Sequence, residues 1–270
     1  MDKGKIYTSG KGFRRNKNAT VVLKVLKDSS NINSAFLKEP YALPITEAID
    51  KIISLSDLYL NHDKLSIEAG KVLAESLYTN PTLNYLDLSS KRLCNGAGQA
   101  MAIALCNNNT LTNLNLGSNY LSDEAGIALA MALSKNITLM CLNLKRNRFG
   151  DKTGTLLAEA LGKNTALTDL CLDSNQLSGS AGKALAEALC INTTLTNLDL
   201  RKNKLSDQQA EALCKNTTLT NLSLYGNQLG ESAGKALAKA LCKNTTLTKL
   251  NLYGNQLGAG RGSRHKYNIN

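Results

Sequence analysis

Two histidines, seven cysteines and one glycine-lysine run are the residues from which this chain could build an active centre. His62 and His265 stand in different regions, with no acid or nucleophile at a matching spacing. A zinc site would need thiols or imidazoles paired closely in sequence, and no C-x-x-C occurs. Gly230-Glu231-Ser232-Ala233-Gly234-Lys235-Ala236 has the look of a phosphate loop. Its glycines are one residue too close, and Ala236 stands where a Ser or Thr would meet magnesium. Ala-Gly-Lys also occurs at Ala69 and Ala181, so the run reads as a recurring helix start. The chain is therefore expected to be a non-enzyme with no metal, no cofactor and no small-molecule substrate.

The chemistry that remains is recognition, carried by tyrosines and paired charges. Their arrangement depends on a repeated unit that begins at Leu55, Leu83, Leu111, Leu139, Leu167, Leu195, Leu219 and Leu247. The spacing is 28 residues except for one step of 24. Each unit reads L-x-x-L-x-L-x-x-N-x-L, then a small-residue helix and an N-T-T-like turn. A period in this range marks a solenoid. Pairs such as Leu198 and Leu200 send both side chains to one face of a short strand. The ninth-place Asn (Asn119, Asn147, Asn175, Asn203, Asn227, Asn255) can donate and accept where the chain leaves the strand. Ala184, Leu185, Ala188 and Leu189 keep helical spacing, and the alanines would let the helix approach the sheet closely. No unit can bury its apolar face alone, so neighbours must stack.

This unit resembles the ribonuclease-inhibitor type of leucine-rich repeat, also found in NOD-like receptors and in effectors of intracellular bacteria. The resemblance implies an α/β fold, a right-handed horseshoe with parallel strands on the concave face and helices on the convex face. It also implies a non-enzymatic module that binds a partner protein in the concave face and masks or inhibits it. The expected organisation is a basic tail over 1–20, an N-terminal cap over 21–54, a solenoid of eight units over 55–258 with the last one partial, and a basic tail over 259–270. Asp63 and Lys91 replace the ninth-place Asn in the first two units, as expected where a terminal unit has one unstacked face. The 24-residue unit lacks about one helical turn after Ser206, which predicts a local notch.

Charge is concentrated in the tails. Of the net +11, residues 1–27 carry +7 and residues 259–270 carry +3, leaving +1 for residues 28–258. A nucleic-acid protein usually carries its charge on the binding face, so the tails argue only weakly for that partner. No apolar run approaches the ~20 residues of a membrane span. The basic N-terminus is followed by no hydrophobic stretch and does not read as a secretory signal. Cys106, Cys190, Cys214 and Cys242 share one place at the end of a repeat helix, read as a small buried thiol. A monomer in a reducing cytosol is expected, including a host cytosol if the chain is a bacterial effector. The N-x-[ST] triplets at Asn18, Asn108, Asn136, Asn192, Asn216 and Asn244 read as scaffold turns.

The third, fifth, seventh, eighth and tenth places of each unit are expected to face away from the core, and they vary while the leucines repeat. They carry five tyrosines, Tyr59, Tyr85, Tyr120, Tyr225 and Tyr253. They also carry the cations Lys145, Arg146, Arg148, Arg201, Lys202 and Lys204 beside the acids Asp173 and Asp199. Tyrosine suits a binding hot spot because it offers large contact area at small entropic cost. Acid toward the strand starts and base toward the strand ends predict a bipolar surface, and Lys145, Asp173 and Arg201 alternate in sign along one column. Two alternatives stay open, an adaptor or sensor working with a separate chain and a nucleic-acid-associated protein using its basic tails.

Overall fold

The computed structural model describes residues 7–8, 11–12, 57–59, 67–207, 216–258 and 268–269. The expected cap at 21–54, both histidines, Cys214, Asn18, the helix of the short unit at 208–215 and the Tyr59 side chain lie outside the described residues.

Each repeat turns a three-residue strand into a helix and back. The strands are β3 (Asp57–Tyr59), β4 (Tyr85–Asp87), β5 (Asn113–Asn115), β6 (Cys141–Asn143), β7 (Asp169–Cys171), β8 (Asn197–Asp199), β9 (Asn221–Ser223) and β10 (Lys249–Asn251). They pair in parallel and in sequence order, leucine beside leucine, as in Leu86↔Leu114 and Leu170↔Leu198. The helices are α1 (Ile67–Thr79), α2 (Asn95–Leu105), α3 (Asp123–Leu133), α4 (Asp151–Leu161), α5 (Gly179–Leu189) and α6 (Glu231–Leu241). A short hairpin, β1 (Tyr7–Thr8) with β2 (Lys11–Gly12), stands in the N-terminal basic segment. The C-terminal basic segment supplies β11 (Asn268–Ile269), which pairs antiparallel with β10 at the sheet edge.

The fourth- and sixth-place leucines and the inward helix residues form one continuous buried core along the solenoid, which is the α/β architecture the repeat implies. Neighbouring helices approach each other closely through their glycines. A Cβ on Gly98 would stand 2.7 Å from the Ala125 Cβ, and one on Gly154 would collide with Ala181.

Two asparagine ladders hold the turns at the two ends of the strands. At the far end, Asn175 Nδ2 donates to the carbonyls of Leu144 and Leu172 at 3.1 Å while its Oδ1 accepts from the Phe149 amide. At the near end, Asn108 Nδ2 donates to Leu77 O at 2.7 Å and its Oδ1 accepts from Leu111 N. These bonds pair backbone groups that stacking would otherwise bury unsatisfied, the role expected of the ninth-place Asn.

Helices α2 to α6 have no side-chain cap of their own. For each of α3 to α6, the preceding unit supplies it. Asn95 Oδ1 accepts from Ser122 N at 2.8 Å, Asp123 Oδ1 from Gly150 N at 2.8 Å, and Asp151 Oδ1 from Ser178 N at 2.7 Å. Asp207 does the same for Gly230, across the short unit. Each cap therefore also locks two units together.

Two expectations need correction. Cys106, Cys190 and Cys242 are exposed, not buried, because each closes its helix and projects outward from the last turn. Lys91 is only 1% exposed, so the second unit is no open end, since β3 and α1 stack upon it.

Candidate partner-binding surface

The open face of the sheet forms a trough of about 650 Å³ running from Tyr85 to Asn251. Third- and fifth-place side chains line it because the period of two turns both away from the leucine core. Asn113, Asn115, Asn143, Asn197 and Asn221 make its floor rich in carboxamides, with Lys249 toward the C-terminal end.

The floor is largely self-satisfied. Asn115 Nδ2 donates to Asp87 at 3.1 Å, and Asn197 Nδ2 to Asp169 at 2.6 Å. The fifth-place oxygen also turns back on its own chain. Asp87, Asn115, Asn143, Asp199 and Asn251 each accept from the amide two residues on, at 2.8 to 3.1 Å. The fifth column is thus partly scaffold, an Asx turn closing each strand. Asn221 Oδ1 and Ser223 Oγ are buried without a hydrogen-bond partner among the described residues.

Arg201 organises the charged centre. Its Nη2 lies 2.6 Å from Asp199 Oδ2 and its Nε reaches both carboxylate oxygens at 2.9 Å. Asp173 Oδ2 lies 3.8 Å from the same Nη2. The hydrogen bond to Asp199 raises the guanidinium pKa above its ordinary value, against the opposing effect of partial burial. Asp173, expected to be exposed, is buried at 8% exposure; it bonds to Ser174 and Arg201 lies beside it. Lys145 has no ion pair among the described residues, and its stem lies over Gly117. The column of alternating sign is thus a paired Asp173–Arg201 step rather than a continuous bipolar face. Burial pushes the Cys171 thiol up to about 11, and the carboxylates of Asp199 and Asp173 add to the rise. Burial also raises Cys141, with Asp169 adding to it.

The eighth and tenth places lie off the strands, on the loop that leads to the helix. Arg146 and Lys202 occupy the eighth place with φ of 52° and 48°, a left-handed turn that Gly226 and Gly254 adopt at lower cost. Arg148 and Lys204 donate their amides to Leu121 O and Leu177 O of the preceding unit, which fixes the tenth place as a rim. Arg146, Arg148, Lys202 and Lys204 are all exposed. Tyr225 and Tyr253 stack with centroids 5.5 Å apart and planes within 1°. Lys202 Nζ lies 5.9 Å from the Tyr225 ring, and Arg148 lies 5.0 Å from the ring of the exposed Tyr120.

The residues singled out from the sequence therefore divide. Tyr85, Asp199 and Arg201 line the trough, and Tyr59 lies on β3 by its backbone. Tyr120, Arg146, Arg148, Lys202 and Lys204 form the rim, with Lys145, Tyr225 and Tyr253 where strand becomes rim. The third-column residues Asn113, Cys141, Asn197, Asn221 and Lys249 were not singled out, although they share the trough. Their column repeats Asn three times and varies less than the seventh, so variation alone did not mark it. No group of three or more potential metal ligands occurs among the described residues, and no described helix is long and apolar enough to cross a membrane.

No curated protein matches the sequence. Among solved structures, the chain is similar to leiomodin-1 actin-binding site 2, at 28% identity and a TM-score of 0.42 over 52% of this chain and 79% of that one. It is also similar to a tropomodulin C-terminal domain from Caenorhabditis elegans, at 15% identity and a TM-score of 0.46 over 63% of this chain and 94% of that one. The leucine-rich repeat family model matches residues 107–130, 135–158, 192–214, 215–238 and 243–260. Those five segments lie on stacked strand–helix units joined by asparagine ladders, so this part of the chain is built of leucine-rich repeats and the architecture is the α/β solenoid of such repeats.

Proposed function

We propose that the chain is a non-enzymatic module that binds a partner protein over the open face of its sheet. The observation that supports this most is the trough itself. Its invariant leucines and ladders form the frame, carboxamides recur over its floor, and the third place changes along it from Tyr85 through Cys141 and Asp169 to Lys249. Such a frame presents a fixed surface at small entropic cost on binding. By the ribonuclease-inhibitor resemblance the partner's own functional surface would be masked, in a cytosolic setting that includes delivery as a bacterial effector.

The test fills the trough. Asn113→Arg with Cys141→Arg puts two long side chains on adjacent strands where no ladder bond is lost. Proteins captured from a cytosolic lysate are compared by mass spectrometry for the native chain, this variant and a helix-side control, Lys183→Glu. Loss of the captured partner in the trough variant alone is expected. Equal capture by all three would overturn the reading.

A further inference from the structure

The strand-to-helix loops at residues 89–94, 117–122, 145–150, 173–178, 201–206, 225–230 and 253–258 hold eight lysines and arginines and a single acid, Asp173. Residues 28–258 as a whole carry only +1. The solenoid is near neutral in sum, yet its charge is segregated, with one basic rim. Of those cations, Lys91 is buried and Arg201 is held by Asp199, whereas Arg92, Arg146, Arg148, Lys202 and Lys204 are exposed. None of the five has an ion pair among the described residues. The trough floor, by contrast, answers most of its own polar groups.

We propose that this rim is the charge-reading part of the partner-binding surface and that it takes an acidic helix of the partner protein. The proposal rests on the protein-binding reading above. Exposed cations recur on every second unit, at Arg92, then Arg146 and Arg148, then Lys202 and Lys204. Strands ~4.8 Å apart place these clusters ~10 Å from one another. Seven residues of an α-helix rise ~10.5 Å, so carboxylates at i, i+7 and i+14 on one helix face would meet successive clusters. The intervening units supply the neutral Ser118, Ser174 and Gly226, which removes like-charge crowding between neighbours.

The aromatic groups favour a protein over a single-stranded nucleic acid. A base would need a free ring face to stack upon. Arg148 already lies over Tyr120 and Lys202 over Tyr225, while the other neighbour of Tyr225 is Tyr253 at 5.5 Å. Each cation thus already occupies a face of its ring, and the rings hold the cations in place.

The test measures fluorescence anisotropy of the full chain with three probes: a synthetic alanine-rich helix with glutamates at i, i+7 and i+14, the same composition scrambled, and an oligothymidylate of equal charge. The rim variant carries Arg146→Glu, Arg148→Glu, Lys202→Glu and Lys204→Glu. The control carries the same charge change on exposed helix-side residues, Lys152→Glu, Lys163→Glu, Lys183→Glu and Lys239→Glu. Both keep the basic tails, so the tails cancel in the comparison. The rim variant should lose at least about tenfold in affinity for the aligned helix and flatten its salt dependence, with the control within about twofold. A second variant, Arg146→Gly with Lys202→Gly, keeps the fold because glycine suits that left-handed turn. It should lose about fivefold. Equal losses in rim and control variants, or no preference for the aligned helix over the scrambled one, would overturn the proposal. Tighter, rim-dependent binding of the oligothymidylate would replace it with a nucleic-acid surface. Failure of helix binding with the trough-dependent capture intact would sink the rim assignment alone.

Discussion

Asp151 caps a helix to which it does not belong: from the first position of α4 its carboxylate accepts the amide of Ser178, the residue before α5, at 2.7 Å and the Ser178 hydroxyl at 2.5 Å. Partial burial opposes ionisation here, but hydrogen bonds from Ser178, Ser180 and Ala181 outweigh it and hold the carboxyl below the usual aspartate range. Asp207 is held low in the same way by Ser232 and Gly230. A folded pKa below the unfolded one gives stability that is complete above about pH 4 and lost as the pH falls through the folded value. Asp151→Ala should cost about 1 kcal/mol near neutrality, in the range of lost helix caps. Urea unfolding at pH 7 and at pH 3 checks this, and the gap between wild type and variant should shrink at the lower pH.

Replacing Tyr225 and Tyr253 together by alanine should weaken the partner by about 2–4 kcal/mol, as hot-spot truncations do. Their stacking stabilises the fold by only about 1 kcal/mol, and Tyr253 is 37% exposed. Calorimetric titration of the partner beside melting curves separates the effects. A large fall in Tm with unchanged affinity would make the pair structural.

Arg201→Met should destabilise by about 1 kcal/mol, because the buried Asp173 and its neighbour Asp199 lose their shared cation. Arg201→Lys should recover only part of this, since an ammonium cannot reproduce the Nε and Nη2 fork on one carboxylate. Denaturant midpoints of the three proteins give the answer. The sequence suggested an association role for Arg201; its geometry makes it first a brace of the trough.

Cys171 should resist alkylation at pH 8 and gain reactivity only as the pH approaches 11, the thiolate being the reactive form. The exposed Cys106, Cys190 and Cys242 should be labelled first. Iodoacetamide labelling followed by peptide mapping across pH 7 to about 11 checks the order.

The repeat made the fold legible, because Leu198 and Leu200 recur with a spacing that only stacked strands explain, and Asn175 recurs where a turn must be paired. Features that pair one unit with the next were not legible. The Asp123 and Asp151 caps join residues 27 apart, and in the sequence each reads simply as an acid at a helix start. Asp173 was misjudged for a like reason, since the cation that lies beside it, Arg201, belongs to the following unit. The candidate surface was half legible. Variation marked the seventh, eighth and tenth places, but the left-handed turn at Arg146 that takes them off the strand leaves no trace when the residue is not glycine. Arginine and lysine there hide what Gly226 and Gly254 declare.

The near-end asparagine ladder also bears on covalent modification. Asn108, Asn136, Asn192 and Asn216 each begin an N-x-[ST] triplet, and each uses its Nδ2 to donate to two carbonyls of the preceding unit. That nitrogen is the atom to which an N-linked sugar would be attached. A glycan added to the nascent chain would take one of the two donors the ladder uses and force a bulky group into a buried column. At these four sites sugar and solenoid are mutually exclusive, so a chain modified there would reach the end of synthesis unable to close its stack.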